Sequence, residues 1–454
     1  MDSSKKGNEK KMDLRDKKQF KHITGMFIIV TVFLIWLQMM LSCDIVYHKV
    51  TFVVSCILFA LYVVMGFGKI KDIWTERTGE ERRLIIAIIA YMAIDIVGIF
   101  YSPVPLFGAY KYTTILPMVF MCIMIISMSS DCRWHDYVFL SIGLASLCIS
   151  IYCYGAYFFM DRSGLLYHKR ISLIKDYNVF STCILMGMLM LLYYAGRIGE
   201  GKGEVYIISL LVFIINIPVV ILSGSKRGFL LAIFILIGYI YIKRPWRDGK
   251  RGVVFLCALL ILVPLFTRSV SLALQKTYSE DYNDSLKTSV DIPKEVNIKS
   301  NYKTIYNGTA LGKRPAIWNI AIKEISSFNI SSLLTGNGTG YDCYIYNQKY
   351  TEEMDRLYGN GKAAQLGSMS PHNAFLSDML NGGIIKLCVS IYIWYCVFLN
   401  LYIMYKKGLQ PKGFIYAIGA VWAIIFINSM ISGSYGYIYI KPFWIFITSL
   451  FTNT

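Results

Sequence analysis

Gly312-Lys313-Arg314-Pro315-Ala316-Ile317-Trp318 and Ser370-Pro371-His372-Asn373-Ala374-Phe375-Leu376 lie in one polar interruption, Arg268 to Leu380, between two hydrophobic runs. On either side the chain consists of apolar runs long enough to cross a bilayer, joined by short connections. The expected fold is an all-α polytopic membrane protein. It has about 12 transmembrane helices and one large extracytoplasmic loop containing short helices. The expected organisation is a basic cytoplasmic tail (1–22), nine spans (23–267), the large loop (268–380) and three further spans (381–454). Function-bearing residues concentrate in such loops, because a rigid scaffold positions them.

Composition agrees with this reading. Hydrophobic residues make up 56% of the 454 and charged residues only 16%, with a mean hydropathy of +0.50, whereas soluble domains carry roughly 25% charged residues. The net charge of +18 does not mark nucleic acid as a partner, because the excess sits in the N-terminal tail and short loops. Lys5 to Lys21, Arg82-Arg83, Lys243 to Arg251 and Lys406 to Lys412 all fall on one side, as the positive-inside rule requires of the cytoplasm. The long loop is nearly neutral, with twelve Lys or Arg against eleven Asp or Glu. Both termini are therefore expected in the cytoplasm, with Ser223 to Gly228, the long loop and Ser432 to Gly436 outside. The connection from Asp161 to Asn178 breaks the charge rule: Arg162, His168, Lys169, Arg170 and Lys175 would all lie outside, as an anionic ligand or dominant neighbouring spans would allow. The eleven cysteines contain no Cys-x-x-Cys pair and most sit in apolar runs, where a thiol acts as a small hydrophobe.

The expected spans are about 23–42, 50–68, 84–101, 113–130, 137–159, 179–195, 205–222, 228–242, 252–267, 381–404, 413–431 and 435–451. Within the loop, Arg268 to Lys303 is polar and poorly periodic, expected to be mobile or fitted onto the surface. From Pro315 onward, Ile317, Trp318, Ala321, Ile322, Ile325 and Phe328 share one helical face, with Pro315 suited to the first turn. Gly336-Asn337-Gly338-Thr339-Gly340 reads as a flexible turn, and Phe375 onward as a helix continuing into the next span.

Three basic elements stand out: Ser223-Gly224-Ser225-Lys226-Arg227-Gly228, Lys313-Arg314 and His372. A guanidinium at a half-desolvated helix junction pairs with phosphate oxygens bidentately, a helix N-terminus at Arg314 favours anions, and His372 exchanges a proton near neutral pH. Taken singly, each has an ordinary reading as a solvated anchor or a structural histidine. Asp95 lies within a span, where a carboxylate is costly in lipid; it serves function or pairs with another buried polar group. Asp378 either orients His372 or starts its helix. The sequence has no P-loop, no zinc-protease helix and no nucleophile elbow.

In this order the elements resemble the O-antigen ligase and polymerase superfamily. The chain offers Ser223-Gly224-Ser225-Lys226-Arg227-Gly228 after the seventh span, then a large loop holding Arg314 four residues before Trp318. Gly336 to Gly340 follows, then His372-Asn373 before a span containing Gly382-Gly383. Upstream, Arg170 followed by Asp176-Tyr177-Asn178 is similar to the family's Asp-Pro-Asn segment. Two departures stand: Lys226 is an additional residue, and Tyr177 replaces proline. The resemblance implies a metal-independent, cofactor-free, inverting glycosyl transfer on the outer face of the cytoplasmic membrane. The donor would be a glycan on undecaprenyl pyrophosphate, and the acceptor a glycan, lipid or cell-wall group. By the same resemblance Arg227 and Arg314 bind the pyrophosphate, Lys226 and Arg170 assist, and His372 is the base. Asn373, Asp378 and Trp318 support them. The competing class is a non-catalytic transporter of lipid-linked sugars, which leaves the large loop and His372-Asn373 without a role.

Overall fold

The computed structural model describes residues 22–41 (except 24), 77–127, 132–159, 171–198 (except 175), 204–288, 313–358, 369–431 and 441–451, with scattered positions from 53 to 75. At 114, 132–135, 157–159, 198, 270–288 and 358 it describes backbone only. The expected span 50–68, the basic tail, Arg170 with most of its loop, and Ser432 to Gly436 lie outside these residues.

The described chain is helical. Its elements are α1 (Gly25–Met40), α2 (Gly79–Phe100), α3 (Pro105–Ser127), α4 (Cys132–Phe159), α5 (Tyr177–Ile198), α6 (Glu204–Leu222), α7 (Lys226–Lys243) and α8 (Gly249–Thr288). Then follow α9 (Arg314–Ser326), α10 (Ile330–Thr335), α11 (Tyr341–Tyr344) with a π-helical turn at Ile345–Lys349, and α12 (Thr351–Tyr358). The last three are α13 (Ala374–Lys407), α14 (Lys412–Ile431) and α15 (Lys441–Ile447), with a terminal 3-10 turn. Among the described residues nine helices are long and apolar enough to cross a membrane, and α1 and α15 are shorter apolar ones. The protein is an all-α, multi-pass membrane protein. The bundle core is a continuous apolar cluster in which α5, the most buried of the spans, packs against α4, α6 and α14.

Three expectations about the loop are corrected. Residues 268–288 are not irregular: α8 runs unbroken for 40 residues, about 60 Å at 1.5 Å per residue, and so continues well beyond a bilayer core. Backbone hydrogen bonding persists because Gly and Pro, the usual helix breakers, are absent from 268–288. The inward face of α9 also differs. Ile317, Ile320, Ala321 and Glu324 are buried, whereas Ile322 is 51% exposed. The helix is turned to pack on Tyr341, Ile345, Tyr346 and Leu380 in a second, smaller core. Glu324 is tolerated there because Tyr341, Tyr350 and Lys349 all donate hydrogen bonds to its carboxylate, and these donors hold it below the usual carboxylate range against the cost of burial.

The glycine segment is a docked latch rather than a flexible turn. Thr339 N donates to Gly98 O (3.1 Å), and Asn337 N and Gly338 N donate to Leu380 O and Asn381 O (both 3.0 Å). Gly338 has φ +94 and a side chain there would meet Gly98 O at 2.6 Å, so backbone closeness rather than freedom is what glycine supplies.

Beneath this latch lies a buried ionic clamp. Helix α13 is broken at Gly383 (φ 64, ψ −159), and Lys386 beyond the break pairs with Asp378 before it (3.5 Å) and with Asp95 of α2. All three are about 1% exposed. Tyr91 Oη donates to Asp378 Oδ1 (2.5 Å), Lys386 Nζ stands 4.6 Å from the Tyr91 ring centroid, and Thr339 Oγ1 donates to Asp95 O (2.7 Å) and Oδ1 (3.1 Å). A second pair, Lys111 with Asp342 (3.2 Å), adjoins it through Asn381, whose Oδ1 accepts from Asp342 N (2.9 Å). Asp95 is therefore paired, and Asp378 does not orient His372. It pairs with Lys386 across the break in α13. Replacing Lys386 by Met is expected to strand Asp95 and Asp378, lowering stability by about 3–5 kcal/mol. Thermal unfolding of the purified variant checks this, and Asp95→Asn in the same chain should recover part of the loss; an unchanged melting temperature for Lys386→Met would show that the clamp carries no stability.

Candidate active site

The starts of four helices build the site, and three of them are fixed by a short polar side chain, Asp176, Ser225 or Asn373. Asp176 begins α5: its Oδ1 accepts from Asn178 N (3.0 Å) and Val179 N (3.1 Å). Ser225 caps α7, its Oγ accepting from Gly228 N (2.9 Å) and donating to Asn178 Oδ1 (2.8 Å). The two segments are thereby tied together, and the closeness is steric too, since a side chain at Gly228 would meet Ser181 Oγ at 2.5 Å. The first turn of α9 contains Arg314 and Pro315. Asn373 caps α13, its Oδ1 accepting from Leu376 N (3.1 Å). The last turn of α14 anchors the two loop elements: Arg314 Nε donates to Ile431 O (2.8 Å) and Asn373 Nδ2 to Met430 O (3.4 Å).

Arg227, Arg314 and His372 come together at this junction, close enough for both guanidinium charges to act on the imidazole, and for the Asp176 carboxylate to act on it as well. Asp176 and Arg314 likewise act on Arg227. The most informative feature is Arg227 itself. Its Nε, Nη1 and Nη2 are all buried, with no hydrogen-bond partner among the described residues. A buried, unpaired guanidinium is costly unless an anion completes it. Its side chain is held there because α7 starts at Lys226, directly after the Gly224 turn (φ 73), so Arg227 sits at the helix mouth rather than along its lipid face.

His372 is one of two non-glycine residues with positive φ among those described (55°). Such a conformation is uncommon outside glycine and marks a position held by its surroundings; here Asn373 and α14 hold it. His372 Nδ1 is buried and has no partner among the described residues. Burial first, and then the Arg314 and Arg227 charges, pull the imidazole down from 6.5 to about 4, against the opposing pull of Asp176. At neutral pH it is uncharged, a proton acceptor next to two cations.

The other expected residues fall around this centre in different ways. Trp318 is half-buried one turn beyond Arg314, with its Nε1 buried and no hydrogen-bond partner among the described residues. Asn373 supports the site as a cap. Lys226 is exposed at the start of α7, Arg170 lies outside the described residues, and Asp378 belongs to the clamp. Two participants were not singled out from the sequence. Asp176 carries a local signal, because Asp at a helix start caps the first turn. Lys386 lies inside an apolar run, where an ionisable residue needs a partner. Among the described residues no group of three or more His, Cys, Asp or Glu is arranged to hold a metal ion.

Residues 209–391 match the family model described as O-antigen ligase. Over that segment the chain is similar to the O-antigen ligase family. The matched segment runs from α6 through the break in α13 and contains Arg227, Arg314 and His372, but not Asp176. It is the family that the ordered motifs resemble. No curated protein matches the chain. The matched segment thus supplies two cations and the histidine, and Asp176, which acts on both Arg227 and His372, lies outside it.

Proposed function

We propose that the protein is a membrane glycosyltransferase of the O-antigen ligase and polymerase type, taking a glycan from a polyprenyl-pyrophosphate donor such as undecaprenyl pyrophosphate. The observation that carries this reading is the buried Arg227 guanidinium, without a partner among the described residues, beside Arg314 and an uncharged His372. The donor diphosphate completes the hydrogen bonding of Arg227 and is shared with Arg314. As the bond from the sugar anomeric carbon to the phosphate oxygen breaks, negative charge grows on the leaving diphosphate, where the two guanidiniums face it. The acceptor hydroxyl attacks the anomeric carbon from the opposite face and His372 takes its proton. One displacement of this kind inverts the anomeric centre and uses only side chains, so metal-independent transfer is part of the proposal. The charge pattern of the short loops supports a position of this end of the bundle on the outer face of the inner membrane, with both termini in the cytoplasm. Growth of a surface polysaccharide by joining repeat units is the preferred outcome. Transfer of a finished chain to a lipid or cell-wall acceptor uses the same donor chemistry.

Arg227→Ala, Arg314→Ala and His372→Ala, each expressed in a strain lacking the native protein and matched for membrane level, test it. Loss of long surface glycan with accumulation of short lipid-linked units is the polymerase outcome. Full-length polymer left on the carrier lipid is the ligase outcome. Unchanged glycan in all three variants removes the catalytic assignment and favours transport without catalysis.

A further inference from the structure

At the opposite end of the bundle from Arg227, α5, α7 and α14 do not close on one another. They leave a groove of about 1160 Å³, above the usual range for small-molecule pockets of roughly 300–1,000 Å³. Its walls are apolar, with Leu192, Leu231, Phe234 and Ile424 among them, and its fixed charges gather at one mouth: Asp136, Arg197, Lys243, Arg244 and Lys412. Asp136 is taken by an ion pair with Arg197. Lys243, Arg244 and Lys412 have no carboxylate partner among the described residues. Lys243 does not reach away from the groove: its Nζ lies 3.0 Å from where a side chain on Gly196, a groove residue of α5, would begin. Helix α7 is 18 residues long, about 27 Å at 1.5 Å per residue, so this mouth lies one hydrocarbon thickness from Arg227, at the headgroup level of the other leaflet.

We propose that the groove binds an acidic glycerophospholipid, with its phosphate on Lys243, Arg244 and Lys412 and an acyl chain along the apolar walls. Charge complementarity decides the occupant. The hydrocarbon chain of a polyprenyl donor held at Arg227 carries no charge at its far end and gains nothing from three cations there, whereas an anionic headgroup gains from each. A neutral phospholipid would fill the walls equally well but leave the mouth uncompensated. The site is independent of glycosyl transfer and stands or falls without it.

The test uses the purified full-length protein in detergent micelles doped with phosphatidylglycerol, phosphatidylcholine or a polyprenyl phosphate, with the retained lipid counted by native mass spectrometry. Phosphatidylglycerol is expected to be retained about tenfold or more over phosphatidylcholine. The Lys243→Gln/Lys412→Gln variant should lose that preference. Gly238→Phe, on a groove wall where an added side chain meets nothing within 4 Å, should lose retention of both phospholipids. Equal retention of the two phospholipids by the unaltered protein overturns the proposal, and so does preference for the polyprenyl phosphate, which would assign the groove to the donor chain. Retention that neither variant changes overturns it as well, because the lipid would then lie elsewhere.

Discussion

Arg227→Ala is expected to reduce glycosyl transfer by about 10²–10³-fold, the usual cost of removing one preorganised donor aimed at developing charge. The effect should fall on kcat as well as KM, because charge on the leaving diphosphate is greatest in the transition state. Arg227→Lys should recover little. A lysine offers one point of charge where the buried guanidinium offers a planar fork of donors, all three of its nitrogens without a partner among the described residues. Transfer from a purified lipid-linked donor in proteoliposomes measures both variants. Recovery to near the original rate by lysine would show that only net charge is needed there and would remove the bidentate contact from the mechanism. The unaltered fold is checked independently, because Arg227 makes no hydrogen bond with the described residues and its loss should leave thermal stability unchanged or raise it.

The second large effect concerns His372. In the free protein the imidazole is uncharged down to about pH 4, through burial and the nearby Arg314 and Arg227 charges. The sign follows directly: protonation disables a base, so activity falls as pH drops through its pKa. The acid limb of kcat/KM, which reports the free protein, is therefore expected near pH 4 rather than near the ordinary histidine value of about 6.5. Once the donor diphosphate occupies the site, its negative charge offsets the two guanidiniums, and the limb of kcat should move up toward the ordinary value. Donor binding thus makes His372 a stronger base at the moment it is needed. His372→Gln should lower kcat by about 10²–10⁴-fold and abolish this limb. A limb that persists in His372→Gln belongs to another group, and identical limbs in kcat and kcat/KM would mean that the diphosphate is not bound beside His372.

The helical, membrane-spanning character of the chain was legible because it depends on local quantities. Apolar runs of about 20 residues bury their own backbone hydrogen bonds as helices, and no other open structure crosses lipid. The motif residues were legible for a related reason. Arg227 and His372 sit beside serine, glycine, asparagine and proline, which announce helix starts and turns wherever they occur. Pro315 falls in the first turn of α9 as expected, and Asn373 caps α13. The ordered set carried the family resemblance, and the O-antigen ligase match covers its motifs from Ser223 to Gly383 but not Arg170 or Asp176 to Asn178.

What the sequence left undecided involves partners far apart in the chain. Asp95 and Lys386 are 291 residues apart, and each alone reads as an expensive charge in lipid; only packing α2 against α13 shows that they neutralise one another. Asp378 lies close to His372 in sequence, yet the break at Gly383 turns it toward Lys386. The glycine segment is rigid because Gly98 and Asn381 accept its backbone hydrogen bonds, and no local propensity encodes that. Asp176 reaches the site only because Ser225 and Asn178 bond α7 to α5. Local chemistry, which acts within a few residues, determined the helices, their ends and the identity of the reactive groups. Which charges are paired, and which are left for a ligand, depended on contacts whose free energy appears only when distant segments are desolvated together.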